Sequence, residues 1–308
     1  MRIPFVSIVV PTYNRVRFLP ACLVTLCSQT YPSDRYEIIL VDDGSTDGTA
    51  EAARAILHQW GGTFQVIQKP NGGPASARNT GIWAAAGEFI AFIDADCVAE
   101  RDWLAQLASA LCQSNAAGVG GPLVNVSPKA WVPYYLSASS FFRHRVRRGR
   151  VDYLLTANAA FRRSALLQVR GFSERPGIWS EDADLSFRLT QAGHKLLLAD
   201  GGIVSHFGTP LSLRSLITNL YRYGYGNAVL SPHWKNGRTP AIELLRHGGA
   251  VALSPFLALA KTRHVGILWA IAFWPLVVME HTAFVVGLVS GTMYNLGQGS
   301  SLWRRHPS

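Results

Sequence analysis

The first half of the chain alternates short apolar runs with stretches whose hydrophobic positions recur at helical spacing. Runs at residues 6–10, 37–41 and 64–68, and one that ends at Asp94, predict strands. Segments 17–28, 49–60 and 75–86 between them predict helices. Strand and helix in regular alternation predict an α/β fold built on a doubly wound, mostly parallel sheet flanked by helices. In such sheets ligands gather at the carboxyl ends of the strands. From about Gly120 the segments become shorter and mixed, and they carry the basic run Arg143-His144-Arg145-Val146-Arg147-Arg148-Gly149-Arg150. That run reads either as a solvated loop or as a site for an anionic lipid or acceptor.

After Pro210 the pattern shifts again. An amphipathic aromatic stretch at 216–230 contains Tyr221, Tyr223 and Tyr225, and two apolar blocks follow at 248–260 and 265–296, separated by Lys261-Thr262-Arg263-His264. The first block is shorter than the ~20 residues a spanning helix needs. The second is long enough but contains Pro275, Glu280 and His281. A single span, a hairpin, an in-plane insertion and a buried helical pair all fit, and basic residues flank both blocks, so charge asymmetry does not set the topology. These shifts divide the chain at 1–120, 121–212 and 213–308, the last a hydrophobic helical C-terminal extension.

A chain of 308 residues with 48% hydrophobic content has enough material for one large or two small cores and is not a disordered chain. Its net charge of +10 asks for an anionic partner, either a phosphate-rich ligand or a lipid surface. No nucleic-acid recognition motif accompanies the charge, and the apolar C-terminal part suits a membrane better, so no nucleic-acid partner is expected. Cys22, Cys27, Cys97 and Cys112 show neither CxxC spacing nor histidines at zinc-finger distance, and they read as reduced thiols of a cytosolic portion. The N-terminal apolar run is broken by Pro4 and Pro11 and lacks a small-residue cleavage site, so it reads as a first strand and not a signal peptide.

The chemistry concentrates where strands end. Asp94-Ala95-Asp96 follows the apolar run 88–93 directly. If those residues stay extended, both carboxylates project from one edge of the sheet, where they can hold a divalent cation, Mg²⁺ or Mn²⁺, that completes its shell with ligand phosphates. The plain reading of the same triplet is a polar strand end or turn. Asp42-Asp43-Gly44-Ser45-Thr46-Asp47-Gly48-Thr49 sits at a second strand end, where the acids can accept hydrogen bonds from a base or ribose and Ser45 or Thr46 can cap the next helix. A calcium loop is excluded there, because its twelfth position is Arg54 where a bidentate glutamate is required. Asn71-Gly72-Gly73-Pro74-Ala75-Ser76-Ala77-Arg78-Asn79-Thr80-Gly81 is a glycine-rich loop entering a helix, with Arg78 placed for a charge-assisted contact to a nucleotide or phosphate.

With Pro11-Thr12-Tyr13-Asn14-Arg15, these segments resemble, in order, the motifs of family 2 glycosyltransferases of the GT-A fold. The resemblance continues through Thr156-Ala157-Asn158, Gly171-Phe172 and Glu181-Asp182-Ala183-Asp184-Leu185-Ser186-Phe187-Arg188, and covers about the first 210 residues. It implies an inverting enzyme that moves a sugar from a nucleoside-diphosphate donor, uridine-linked by family habit, to a hydroxyl of a glycan or lipid-linked acceptor. Residues 1–120 would form the nucleotide-sugar-binding half and 121–212 the acceptor and catalytic half. Pro11, Thr12, Tyr13, Asp42 or Asp43, and Arg78 would line the nucleotide pocket, with Asn158 and Glu181 also on the substrate. Asp94 would face the ribose or metal, Asp96 would ligate the metal, and His206 would be a further metal ligand. Asp182 would be the general base for the acceptor hydroxyl, with Glu181 and Asp184 as neighbours able to replace it. With the extension on a lipid surface, the catalytic part would work at the cytoplasmic face of a membrane.

Two other readings compete. Asp94-Ala95-Asp96-Cys97-Val98 also fits the opening of haloacid-dehalogenase-type phosphatases, with Asp94 as covalent nucleophile, but leaves the Asp42–Asp43 and Arg78 segments without work. A membrane-bound nucleotide-sugar-binding module without turnover is the non-enzymatic alternative.

Overall fold

The computed structural model describes residues 3–126, 146–147, 150–151, 153–174, 180–208, 212–230, 240–262 and 267–297. They fall into two compact units.

The first unit takes residues 1–126, 143–174 and 181–209. It opens with β1 (Val6–Thr12), α1 (Leu19–Cys27), β2 (Tyr36–Asp42), α2 (Thr49–Trp60), β3 (Thr63–Gln68), α3 (Pro74–Ala84) and β4 (Phe89–Ile93). Each predicted element is present. Local chemistry sets their ends: Pro20 sits in the first turn of α1, Gly61 at φ 73° closes α2, and Gly73 at φ 87° hands over to Pro74 at the start of α3. The four strands are parallel, in the order β3-β2-β1-β4.

The chain continues through β5 (Cys97–Ala99), α4 (Trp103–Cys112), β6 (Gly118–Gly120), β7 (Leu123–Asn125), β8 (Val146–Arg147), β9 (Arg150–Val151), β10 (Asn158–Arg162), α5 (Arg163–Gln168), α6 (Glu181–Gln191), β11 (Leu196–Leu198) and β12 (Val204–His206). Strand β10 pairs antiparallel with both β4 and β6, which extends the main sheet to β3-β2-β1-β4-β10-β6-β11-β9-β8 among the described residues. The expected boundary at residue 120 therefore runs through one continuous sheet. Strands β5, β12 and β7 form a small second sheet. Of the basic run 143–150, only 146, 147 and 150 are described, as backbone of β8 and β9; the rest lies outside the described residues.

Every residue of β2 is buried, as expected for a strand covered on both faces. Alternate side chains supply two cores. Val6, Ile8 and Val10 pack with Leu19, Leu23, Trp103 and Leu107, while Val9, Ile39 and Val41 pack with Ala77, Ile82, Leu185 and Leu189. Helix α3 lies so close on β1 that a Cβ added at Gly81 would collide with the Val9 side chain. That close approach fixes where α3, and hence Arg78, sits.

Within the described residues, the second unit is mainly helical: α7 (Leu213–Leu230), α8 (Pro240–Ala252), α9 (Ser254–Thr262) and α10 (Ile267–Gly297). Helices α7 and α10 touch backbone to backbone, since Cβ atoms at Gly224 and Gly287 would strike the carbonyl oxygens of Phe284 and Tyr221. The first apolar block forms the short helices α8 and α9. The second forms one continuous helix through Pro275, not a hairpin, and its segment Trp274–Leu296 is long and apolar enough by length and composition to cross a membrane.

Candidate active site

Strand β4 ends at Ile93, and the Cys97 amide donates to the Asp94 carbonyl at 3.0 Å. Asp94-Ala95-Asp96 is thus a tight turn between β4 and β5, which corrects the expectation of an extended triplet. The turn sends the two carboxylates to different partners. Asp94 Oδ1 accepts from Arg78 Nη2 at 2.9 Å, whereas Asp96 faces Arg15 Nε and His206 Nε2, each at 3.5 Å.

Arg78 lies one turn into α3 on its buried face, and its Nη1 donates to Glu181 Oε1 at 2.8 Å. One guanidinium therefore bridges the Asp94 turn and the first residue of α6, which lies 103 positions after Arg78 itself, with its Cζ over the Phe172 ring. Burial works against the charge, but Asp94 and Glu181 outweigh it and the Arg78 pKa is raised. Each terminal nitrogen already holds a carboxylate, so a nucleotide contact from this residue would have to come from the guanidinium N–H groups that remain. Glu181 is likewise held on Arg78.

Asp182 follows in the first turn of α6. Its Oδ1 accepts from the Ala183 amide at 2.7 Å. Burial, then the adjacent Glu181 charge, push its pKa up to about 7 against the opposing pull of that amide and of Arg78. Asp184 points elsewhere, pairing with Arg188 at 2.7 Å inside the fold.

At the β1 and β2 ends the loops are laced together. The Asn14 amide donates to Ser45 Oγ at 2.8 Å, the Thr46 amide to Asn14 Oδ1 at 2.9 Å, and the Arg15 amide to Thr49 Oγ1 at 3.0 Å. Asp42 is buried and accepts from the Ser45 amide at 3.0 Å. Asp43 accepts from the Gly72 and Gly73 amides at 2.9 and 2.7 Å and from Lys69 Nζ at 2.7 Å, so its carboxylate pins the glycine-rich loop to β2. The groups left facing outward are Pro11 and the exposed ring of Tyr13, while Thr12 Oγ1 is buried with no hydrogen-bond partner.

Register builds the cation site. β12 pairs antiparallel with β5, setting His206 opposite Cys97, and parallel with β7, setting it opposite Asn125. Among the described residues, Asp96, Cys97 and His206 offer three donor atoms within 4.8 Å of one another. Asp94, expected to join the metal, lies outside that group. His206 Nδ1 lies 3.1 Å from Asn125 Oδ1, which orients the ring with Nε2 toward Asp96. Burial, then the Asp94 charge, raise the Asp96 pKa, with His206 and Arg15 opposing. A Cβ at Gly208 would collide with the Asp96 carboxylate, so only bare glycine backbone fits against the acid there. A buried carboxylate beside a partly exposed imidazole suits a divalent cation.

Asn158, expected on the substrate, lies buried. Its amide donates to the carbonyls of Pro122 and Gly202, each at 2.8 Å, and its Oδ1 accepts from Trp103 Nε1 at 2.8 Å, so it braces three segments of the fold. Arg15 and Cys97 were visible inside or beside the motifs but had no assigned role. Asn125 gave no signal in the sequence, since only strand pairing brings it to His206.

The arrangement matches known proteins at two levels. A sequence model described as glycosyl transferase family 2 matches residues 7–170, and one described as glycosyl transferase family group 2 matches 89–296. Glycosyltransferase AglE of Haloferax volcanii is 30% identical over 226 residues, covering 73% of each chain. The chain spans about half or less of the length of the next curated relatives it matches. Among solved structures, a mannosyltransferase of Pyrobaculum calidifontis in complex with GDP-Man and Mn²⁺ superposes with TM-score 0.62 at 20% identity, over 98% of this chain and 81% of that one. Staphylococcus aureus TarS in complex with UDP-GlcNAc superposes with TM-score 0.57 at 19% identity, over 95% of this chain and 92% of that one. Both share the GT-A fold. The phosphatase reading falls with these matches and with the commitment of Asp94 to Arg78.

Proposed function

Since the chain belongs to glycosyltransferase family 2 and is a glycosyltransferase, we propose that it transfers a sugar, with inversion, from a nucleoside-diphosphate donor to a hydroxyl of a glycan or lipid-linked acceptor. The observation that carries the proposal is the Arg78 bridge, because it ties the turn that would meet the diphosphate to the helix that carries the candidate base.

Asp182 takes the proton of the acceptor hydroxyl as the oxygen attacks the anomeric carbon. A carboxylate with a pKa near 7 is a far better base at neutral pH than an ordinary one, and it still ionises. Pro11, Thr12 and Tyr13 receive the nucleoside, with the unpartnered Thr12 hydroxyl supplying a hydrogen bond. Asp42 and Asp43 shape that pocket by holding its two loops. Asp96 and His206 would hold a divalent cation, Mn²⁺ or Mg²⁺, which supplies charge neutralisation for the leaving diphosphate. Uridine is the proposed base: the donor-bound TarS structure carries UDP-GlcNAc, while the mannosyltransferase carries GDP-Man, and the test below separates them.

The helix Trp274–Leu296 and the exposed apolar side chains Leu245, Phe256, Ile271 and Met293 of the second unit support membrane association. The net charge of +10 supports an anionic, cytoplasmic lipid face. A panel of UDP- and GDP-sugars, scored by thermal shift with Mn²⁺ and then by transfer, tests the reading, because a true donor stabilises the fold by mass action. Transfer that survives both chelation and Asp96→Ala would remove the cation from the mechanism. Stabilisation by GDP-sugars alone would replace uridine with guanosine.

A further inference from the structure

We propose that Cys97 is a third donor to the cation held by Asp96 and His206, and that its sulfur biases the site toward thiophilic divalent ions such as Co²⁺, Zn²⁺ and Cd²⁺ over Mg²⁺. The inference rests on the cation site proposed above. Residues directly opposed across an antiparallel pair present their side chains on the same face, and Cys97 is directly opposed to His206. Asp96 precedes Cys97 in the chain, and the turn at Asp94 brings its carboxylate back to the same point. The three donor atoms lie within 4.8 Å of one another, and Asp96 Oδ1 is 3.5 Å from His206 Nε2. That spacing is the edge of a tetrahedron with bonds of ~2.1 Å, roughly 3.4 Å, so these two donors already stand at ligand distance and only the sulfur has to close in.

Cys97 is fully buried at the edge where the hydrophobic core meets these polar donors. Asn125 holds the His206 ring at Nδ1 with Nε2 directed at Asp96, the ring orientation that an outer-shell partner gives a metal-bound imidazole. Gly208 lays bare backbone against the pair, where a Cβ would press on both the Asp96 carboxylate and His206 Nε2. Cys22, which shares the same core, is a useful contrast: its Sγ lies 3.7 Å from the Asp94 carbonyl oxygen and belongs to no donor group among the described residues. Oxygen and nitrogen donors alone would leave Mg²⁺ and Mn²⁺ as natural occupants, whereas a thiolate beside an imidazole selects softer ions. As the metal–sulfur bond forms, the thiol proton passes to solvent and no redox change occurs.

The test uses the full chain with Co²⁺ and Cd²⁺ as probes and Mn²⁺ followed by electron paramagnetic resonance. Wild-type protein should give a thiolate-to-cobalt charge-transfer band that Cys97→Ser and Cys97→Ala both lack and that Cys112→Ser, which removes the exposed thiol, retains. Cys97→Ser should weaken Cd²⁺ binding by about 100-fold and change Mn²⁺ binding by less than about threefold. A band that never forms in wild type, or that persists in both Cys97 variants, overturns the inference. If Mn²⁺ fails to bind wild type while the cobalt band forms through Cys97, the inference stands and the Mn²⁺-assisted reading of transfer falls instead.

Discussion

Asp182→Asn should make the protein more stable at pH 8 while abolishing transfer. In the folded state the Asp182 pKa is pushed up from 3.8 to about 7, with burial as the first cause and Glu181 as the second. Between those two values the native state keeps a proton that the unfolded chain has lost, so stability falls as pH rises, and the full cost is reached above about pH 7. A rise of that size sets a ceiling of about 4 kcal/mol on the cost. Partial solvent access screens the interaction and brings the expected gain in the variant to about 1–2 kcal/mol. Asparagine keeps an oxygen for the Ala183 amide, so that hydrogen bond survives. Urea unfolding of wild type and variant at pH 8 and pH 5 measures the effect, and the gap should shrink to roughly two-fifths at pH 5, where most of the titration has reversed. Donor binding should persist in the variant. In wild type, kcat should fall about tenfold for each pH unit below 7 as the base is protonated. A variant less stable than wild type at pH 8, or a gap independent of pH, would refute the assignment of a strained, desolvated carboxylate.

Arg78→Met should cost about 3–5 kcal/mol by denaturant unfolding, because it leaves Asp94 and Glu181 unpaired in a partly buried site; a loss below about 1 kcal/mol would show that the bridge is not structural. Gly81→Ala should cost about 1–3 kcal/mol and lower activity in parallel, since its Cβ must push α3 off Val9 and carry Arg78 with it. An unchanged melting temperature would mean that the helix has room to shift. Truncation after Pro240 should move the protein from the membrane to the soluble fraction, and continued sedimentation with membranes would place the lipid-binding surface in the remaining chain.

Much of the first unit was legible from local pattern. The apolar runs of β1, β2 and β4 and the helical spacing of α2 and α3 are properties of neighbouring residues, and so are the proline and glycine signals that end these elements. The motif acids also fell at strand ends, as the alternation predicted. Where local pattern was not enough, the deciding contact lay far away in sequence. Asn158 sits within a motif, yet its side chain braces Trp103, Pro122 and Gly202. Arg78 follows a glycine-rich loop as an anion-binding residue would, yet α3 turns it onto Asp94 and Glu181.

By itself the sequence determined the order of elements, the sheet they build and the family to which they belong, because hydrophobic period and turn chemistry act over a few residues. Only the tertiary structure decided which carboxylate each cation neutralises, that the acid triplet bends into a turn, and that Cys97 and Asn125 flank His206. Those outcomes depend on strand register and helix docking, which bring together groups between 55 and 109 residues apart on the chain in the pairs Trp103–Asn158 and Cys97–His206. No local pattern encodes such meetings.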